Sequence, residues 1–471
     1  MTADPDATIA LPDEVAVVNI GLALFADAVR DQSTAVEQVD WRIPADGRLD
    51  LVTDLECLYG ERSRDIDVAN AEVARRLDES VPLLVDLAAA GKVVPAMSDR
   101  MLLHCGPAIK WSDVCDPLRR SMRAATVSEG WAETVEEADR MLAGGTLMLE
   151  PGYRHDTVLP MASAIGPSAP VFVVDNRDGG TRAFAPINQG PGETAWFGHE
   201  TAAAIARLDF LRDVAAPMLR QIVESSGPID LFRLAAQGVQ MGDDVHMRTQ
   251  GTTSLLIRTL LPQIAGLRDD RRVALAEFLS ANHLFFLNLA MAAAKSAAMW
   301  ADQVEGASIV TMMCRNGTSY GIRLAGSDEV FVAEAPQVEQ AMYYPHYGPE
   351  MGAPDIGDSA ILELVGLGGA AAAGSPAVAG FLPGGLAEAG SMTEQMVSIC
   401  AQESSRFKLP TWNYRGTPLG VDVRRVVELN TTPKVTTGIL HVSSGVGQIG
   451  AGVAAAPIEC FRAAVRSLAA R

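Results

Sequence analysis

Blocks of apolar and polar positions alternate near the start of the chain. An apolar run, VAVVNIG (15–21), precedes a segment with apolar residues at helical spacing, LALFADAVRDQ (22–32), and a second apolar run, AVEQVDW (35–41), follows. This order predicts a strand, a helix and a strand, as in the opening of a parallel α/β unit. Helical spacing over 65–91 predicts a longer helix that ends at Gly91.

The middle of the chain changes pattern twice. Thr134 with Glu137 predicts a helix start, the pair Gly144–Gly145 predicts a helix end, and PVFVVDNRDGGTRAFAPI (170–187) predicts two strands around a turn. From His199 to about Val304 the spacing is almost wholly helical. Strand patterns return in SIVTMMCRNGTSYGIRLAG (308–326), where Asn316–Gly317 predicts a hairpin turn.

Together these patterns predict a multidomain α/β protein. We expect an N-terminal parallel α/β domain (1–95), a mixed α+β region (96–198), a mainly helical subdomain (199–305) and an α+β region that returns to the core (306–471). A chain of 471 residues is long enough for such a division.

Charge and cysteine usage narrow the functional classes. The formal net charge of −20 disfavours binding to nucleic acid or to an anionic membrane. The six cysteines are scattered without a Cys-x-x-Cys pair, which favours a reducing cytoplasm over a disulfide framework or a zinc ribbon. The N-terminus is acidic and unlike a signal peptide, and the two longest apolar stretches contain Lys295 or prolines. We therefore expect a cytoplasmic protein without membrane spans.

GDDVHMR (242–248) concentrates titratable side chains in one polar segment between helical stretches. If the segment is helical, Asp243 and His246 share one face, and Asp244 and Arg248 share another. Asp243 then orients His246 as a general base or acid, with Arg248 available to a substrate. A surface helix cap with a salt bridge explains the same residues equally well.

A second candidate group surrounds the predicted hairpin. With a turn at 316–317, Arg315 pairs with Thr318 and shares a face with Tyr320, whereas Arg323 points the other way. We expect Arg315, with Asn316 beside it, to line a pocket for an anion. The alternative is an exposed charge at the tip of the hairpin.

Three further charged residues lie in loop-like sequence. Asp355 and Asp358 are spaced for helix capping and also for holding a substrate amide or a metal ion. Lys110 follows a Gly–Pro turn and precedes Trp111, so it is a candidate for a pocket-lining ammonium, although most lysines are simply exposed.

The run GVGQIGAG (445–452) has two interpretations. Gly445, Gly447 and Gln448 could place backbone N–H groups against an anion, or they could form a tight structural turn. The run is not a dinucleotide fingerprint, because it lies about twenty residues from the end of the sequence, and it lacks the Gly-Lys-Ser/Thr of a Walker loop.

Seven blocks, in order, resemble the YlbE-like family, which includes the AllG subunit of bacterial oxamate carbamoyltransferase. The blocks are VVNIGLALFADAVRDQSTAVEQVDWRIPA, YGERSRDIDVANAEVARRL, AIKWSDVCDPLRRSM with EGWA, GDDVHMR, RNGTSYGIR, PDIGDSA and TGILHVSSGVGQIGAG. The resemblance implies one subunit of a three-component enzyme with FdrA-like and YlbF-like partners. That enzyme moves a carbamoyl group between phosphate and oxamate in allantoin catabolism, a branch of purine degradation.

The residues are compatible with this chemistry, which needs a base, cations and N–H donors around an electrophilic carbonyl. We assign catalysis to His246 and Asp243, and substrate binding to Arg248, Arg315, Asn316, Lys110, Asp355, Asp358, Gly445, Gly447 and Gln448. One alternative is a metal-dependent amidohydrolase with Asp243, His246, Asp355 and Asp358 as ligands of a divalent metal. Another is a noncatalytic scaffold subunit. No cofactor is assigned otherwise, and formation of a homo-oligomer is left open.

Overall fold

The computed structural model describes residues 15–39, 43–443 and 445–471 and has the predicted mixed α/β class. Its first elements are β1 (Ala16–Ile20), α1 (Ala23–Arg30) and β2 (Ala35–Val39). The two strands pair in parallel, from Ala16 opposite Ala35 to Ile20 opposite Val39. The predicted strand–helix–strand unit is therefore confirmed, although the predicted end of its second strand at Trp41 lies outside the described residues.

The long helix predicted to end at Gly91 is wrong. The chain instead forms α2 (Leu49–Tyr59), α3 (Ser63–Glu79), β3 (Pro82–Ala89) and α4 (Ala90–Val93). Pro82 lacks a backbone N–H and disfavours a helical conformation in the residue before it, so the helix stops at Glu79. The apolar residues that follow become a partly buried strand.

Strand β3 lies inside a four-stranded antiparallel sheet. The order is β8-β7-β3-β9, with β7 (Pro170–Asn176), β8 (Thr181–Pro186) and β9 (Ile229–Asp230). A smaller sheet has the order β5-β4-β6, with β4 (Met101–His104), β5 (Met148–Pro151) and β6 (Ala164–Ile165). Helices α5 (Asp116–Ser128) and α6 (Val135–Ala143) lie between β4 and β5 in the sequence. Thr134 caps α6 as predicted, since its hydroxyl accepts the Glu137 N–H.

The predicted helical stretch is confirmed. It contains α7 (Ala202–Phe210), α8 (Ala216–Ser226), α9 (Leu231–Gln240), α10 (Gln250–Gly266), α11 (Arg272–Ala281) and α12 (Phe285–Ala301). Helix α12 is almost fully buried and packs on β7 and β8. Its Lys295 is buried as well, which lowers the pKa of the amine.

Three more sheets build the last third of the chain. One has the order β12-β11-β10-β14, with β10 (Val310–Asn316), β11 (Ser319–Leu324), β12 (Phe331–Glu334) and β14 (Ile356–Gly357). Another has the order β13-β18-β17, with β13 (Gln340–Tyr343), β17 (Lys434–Leu440) and β18 (Gln448–Ala455). The third pairs β15 (Cys400–Leu409) with β16 (Arg415–Val421).

Five helices accompany these sheets. They are α13 (Ile361–Leu364), α14 (Pro376–Gly380), α15 (Gly385–Ile399), α16 (Val423–Glu428) and α17 (Ile458–Ala469). One buried apolar cluster runs from Ala45 to Leu468 and includes residues of all four predicted regions. Strand β3 also pairs with β7 and β9 across the boundaries expected at 95 and 198, and the domain limits stay a prediction.

The described residues contain no single helix with the length and apolarity that crossing a bilayer requires. Helices α11 and α12 reach that length and composition only as a pair, and the chain bends by 79° between them.

A buried polar network ties α3 to the start of α16. The Asn70 side chain donates to Ser308 Oγ at 2.8 Å and to Asp422 Oδ2 at 3.1 Å, and its carbonyl accepts the Ser308 N–H. Asp422 in turn accepts the Arg424 N–H and caps α16. Each polar group in this network relies on the others for its hydrogen bonds, because buried polar groups need partners.

We therefore expect Asn70→Ala to lower the free energy of unfolding by about 1–3 kcal/mol, because it leaves buried donors and acceptors unpaired. Urea unfolding followed by circular dichroism measures the change. Val68→Ala, at an exposed site on the same helix, is the control. Equal effects of the two substitutions would show that the network does not stabilise the fold.

Candidate functional site

An open cleft of about 630 Å³ lies where the hairpin between β17 and β18 meets four other parts of the chain. These parts are the loop before α7, the segment after α9, the turn between α11 and α12, and Tyr344 just after β13. The side chains that line the cleft include Glu193, His199, Met247, His283, Val446 and Gln448. Five segments of the chain thus form one concave surface, which is typical of a binding site.

The glycine run forms the turn of the β17–β18 hairpin and leads into a strand. Gly445 and Gly447 have φ of +63° and +93°, which favours glycine. A Cβ at Gly447 would overlap His199 Nε2, and one at Gly445 would lie 2.9 Å from Arg120 Nη1. The structural-turn interpretation is therefore supported, and no helix N-terminus follows the run. The neighbouring Val446 and Gln448 still line the cleft.

The segment GDDVHMR is a loop, so the predicted helical faces are wrong. Asp243 does not orient His246. Its carboxylate accepts the N–H groups of Gly251 and Thr252, and Arg248 Nε lies 3.2 Å from its Oδ1. Burial raises the pKa of Asp243. Asp243 is not available to His246 because it binds the first N–H groups of α10 and thereby holds the loop in place.

The next acid, Asp244, shapes the backbone around His246. Its carboxylate accepts the N–H groups of His246, Met247 and Arg248 and the hydroxyl of Thr436 on β17. These bonds hold Val245 at φ +61°, an unusual conformation for a β-branched residue. Such strain persists only where surrounding contacts enforce it, and it is concentrated at functional sites.

Glu363, on the short helix α13, is the carboxylate that orients His246. Its Oε1 lies 2.8 Å from His246 Nδ1, and both side chains are buried. When this carboxyl group accepts the hydrogen of Nδ1 from a neutral ring, Nε2 keeps its lone pair. Glu363 Oε1 also accepts the N–H groups of Gly369 and Thr436, at 3.1 Å and 3.3 Å. Met247, next to His246, lines the cleft.

Close packing against Glu363 and His246 explains why residue 368 is a glycine. Gly368 has φ of +59°, and a Cβ there would overlap Glu363 Oε1 and lie 3.0 Å from His246 Nδ1. Sequence reasoning missed Glu363, although one signal was present. It is the lone acid in the apolar stretch AILELVGLGGAAAAG, and a buried acid requires a partner.

Arg315 forms a buried ion pair and does not face a pocket. Its Nε and Nη2 lie 2.8 Å and 2.9 Å from the two carboxylate oxygens of Asp355, and both side chains are fully buried. The hydroxyl of Thr437 on β17 also donates to Asp355. The exposed-tip alternative is excluded too, because Arg315 is fully buried. Arg315 lies opposite Tyr320 and not Thr318, two residues away from the predicted partner. Arg323 pairs with Asp302 instead.

Asn316 stabilises the hairpin turn. Its side-chain carbonyl accepts the N–H groups of Thr318 and Ser319, and its amide donates to the Pro107 carbonyl at 2.9 Å. All of these partners are structural, so the described contacts support an Asx-type turn and leave no donor toward the cleft.

Asp358 connects two loops through backbone bonds. Its carboxylate accepts the N–H of Gly106 at 2.7 Å and of Leu159 at 2.9 Å, and burial raises its pKa to about 7. Lys110, expected to line a pocket, is exposed. In this structure neither residue lies among those that line the cleft.

The four ligands of the metal-site alternative do not converge. Asp243, Asp355 and Asp358 are occupied by backbone N–H groups or by Arg315, and His246 pairs with Glu363. Across the parts of the chain that the structure describes, no three His, Cys, Asp or Glu side chains are grouped to hold a metal ion. The geometry thus does not bring these four residues together as a set of ligands.

The buried ion pair yields a stability prediction. We expect Asp355→Ala to lower the free energy of unfolding by about 3–5 kcal/mol, because it leaves the Arg315 guanidinium buried without its carboxylate. Urea unfolding measures the difference. Asp175→Ala, which removes the partner of the exposed Arg182, is the matched control and should have little effect. A small effect of Asp355→Ala would mean that water reaches Arg315.

The close packing at Gly368 yields a second stability prediction. Gly368→Ala combines an unfavourable φ with overlap at Glu363, so we expect a loss of about 1–3 kcal/mol and a displaced Glu363–His246 pair. Urea unfolding and the ¹⁵N shifts of the His246 ring report the two effects. Gly380→Ala is the control, because a Cβ there meets no atom within 4 Å. Unchanged ring shifts in Gly368→Ala would contradict the packing argument.

Comparison with known proteins shows which proteins this chain is similar to. A family model described as oxamate carbamoyltransferase subunit AllG matches residues 147–359. The oxamate carbamoyltransferase subunit AllG of Escherichia coli (strain K12) is 36% identical over 406 residues, covering 85% of this chain and 97% of that protein. The uncharacterized protein YahG of the same strain is 34% identical over 453 residues, covering 95% and 96%.

A solved structure shares the fold. The crystal structure of a conserved protein of unknown function from Enterococcus faecalis V583 matches with a TM-score of 0.84 and 33% identity, covering 86% of this chain and 98% of that one. Because the chain is 36% identical to E. coli AllG over 85% of its own length and 97% of that protein, it belongs to the AllG family.

Proposed function

We propose that this chain is a carbamoyltransferase subunit that takes part in moving a carbamoyl group between phosphate and oxamate or a related amide. The observation that supports it is the buried Glu363–His246 pair, whose histidine precedes the cleft residue Met247 in the chain. A histidine held by a buried carboxylate is a common arrangement for a general base or acid. The names of the family model and of AllG supply the reaction class.

The pair has a defined task in this reaction. When the oxamate nitrogen attacks the carbamoyl carbon of carbamoyl phosphate, His246 Nε2 accepts the proton that the nitrogen loses, and the C–O bond to phosphate breaks. In the reverse direction, phosphate attacks the carbamoyl carbon of oxalurate and the bond from that carbon to the amide nitrogen breaks. His246 Nε2 then returns the proton to the departing oxamate. Glu363 stabilises the imidazolium that forms in between.

We assign the anionic parts of the substrates to the cleft. Gln448 lines it, Gly445 and Gly447 stand on either side of the cleft residue Val446 in the sequence, and Arg248 follows the cleft residue Met247. About a third of the Arg248 side chain is exposed, although it also pairs with Asp243. Arg315 has no direct part in this assignment, since it is fully buried.

The physiological context is also proposed. We infer that the chain works in the cytoplasm with FdrA-like and YlbF-like subunits, in allantoin catabolism. The word subunit in the name of AllG supports an assembly with other proteins. The broader YlbE-like grouping of the family stays a prediction.

The test is phosphate-dependent formation of carbamoyl phosphate from oxalurate, coupled to ATP formation by carbamate kinase. It is run on the chain alone and then with the FdrA-like and YlbF-like proteins encoded beside it. Activity in either format supports the proposal, and activity only in the mixture makes the chain a dependent subunit. A complete mixture that forms a complex and remains inactive would contradict it.

In an active preparation we expect His246→Ala to lower kcat by about 10²–10⁴-fold, the usual contribution of a general base. Glu363→Gln should lower it less, because the glutamine carbonyl still accepts from Nδ1 but carries no charge. Lys110→Ala, at an exposed position, is the control. A folded His246→Ala complex with the wild-type rate would favour the noncatalytic scaffold alternative.

A further inference from the structure

In the N-terminal unit, residues 15–39, one sheet face is covered by a helix, and none of the described residues covers most of the other. Helix α1 packs on one side, where Val17, Asn19, Val36 and Gln38 are half-buried. The opposite side, named the bare face, consists of the half-buried Val39 and five exposed residues: Ala16, Val18, Ile20, Ala35 and Glu37. Val18 and Ile20 are 61% and 64% exposed, so the bare face is mainly apolar.

The remainder of the unit is also apolar and exposed. Leu22, Leu24 and Phe25 are each more than half exposed, and Ala26 is the one buried residue of α1. Hydrogen bonds inside the unit hold it together, including Asn19 to Gln38 at 2.6 Å and Gln38 to the Gly21 carbonyl at 3.0 Å. Isolated apolar side chains on a surface are common, but several on one small unit indicate an interaction surface.

Parallel sheets occur almost always with both faces covered, because each strand connection places a helix on a face. Two strands with one helix supply only one of the two layers. The missing layer is therefore an apolar element, and it has to accommodate the carboxylate of Glu37, which lies opposite Val18 in the register.

We propose that the bare face docks an apolar helix of a different protein subunit, which places a lysine or arginine opposite Glu37. The proposal rests on the proposed function in one respect, namely that the chain assembles with other subunits.

Charge excludes a second copy of this chain as the preferred occupant. Two bare faces stacked about a two-fold axis would bring two Glu37 carboxylates into one apolar layer, where like charges are costly. Each copy also has a formal net charge of −20, which adds long-range repulsion. A partner with a cation at this position satisfies both the apolar residues and the acid.

The test measures binding of the full chain to the two subunits proposed above by sedimentation velocity, without any activity assay. The variant Val18→Thr/Ile20→Thr keeps β-branched residues in the strand and removes apolar surface. We expect it to weaken binding at least tenfold. Val68→Thr/Val273→Thr, at exposed helix positions outside the unit, is the matched control and should bind like the wild type.

Two further measurements keep the result decisive if the strand variant misfolds. Glu37→Lys should weaken binding, whereas Glu37→Gln should weaken it less. Hydrogen exchange of the wild-type chain should show added protection of amides 15–20 and 35–39 in the complex. Unchanged exchange there, or equal binding of all variants, would overturn the proposal, and so would a complex that fails to form.

The other occupants have distinct signatures. A wild-type chain that sediments alone as a dimer, and as a monomer after Val18→Thr/Ile20→Thr, would assign the bare face to a second copy and overturn the proposal. Failure of the proposed function looks different, because a complex that depends on the bare face and yet lacks carbamoyl transfer contradicts the function only. An active complex that binds equally well when the bare face is substituted contradicts only the docking proposal.

Discussion

A carboxylate without any solvent exposure requires partners, and Glu363 imposes that requirement on the centre of this molecule. His246 pairs with its Oε1 from the loop after α9, and the backbone N–H groups of Gly369 and of Thr436 on β17 donate to the same oxygen. Position 368 must be glycine to leave room for this carboxyl group. A single buried acid thus determines which residues can stand at several positions distant in the sequence.

The elements that depend on local patterns could be predicted from the sequence. The strand–helix–strand start, the Thr134 cap and the helical stretch from 202 to 301 all follow from apolar spacing and capping residues. The helix predicted to reach Gly91 ends earlier, because Pro82 and the burial of the next apolar run favour a strand. Burial depends on the whole fold, so local spacing could not predict it. The predicted partner of Arg315 was off by two residues because Asn316 uses its side chain to cap the turn.

The site was only partly predictable for the same reason. His246 was identified from its polar segment, and a carboxylate partner was expected for it. The partner proved to be Glu363, 117 residues away, because Asp243 is needed to hold the start of α10. Arg315 and Asp355 were each singled out as candidate ligands for a substrate. The fold instead pairs them with one another in the interior, where neither needs a ligand. Spacing along a chain shows which side chains can meet locally, and it does not show which distant ones will.

Strand β17 contacts both buried acid clusters through two adjacent residues. Thr436 contacts Glu363 and Asp244, and Thr437, which points to the opposite side of the sheet, contacts Asp355. A slip of this strand by one residue against β18 would exchange the two sides and remove both sets of bonds at once. The alignment of one hairpin therefore links the Glu363–His246 pair to the interior ion pair, since β17 bonds to both clusters only in this alignment.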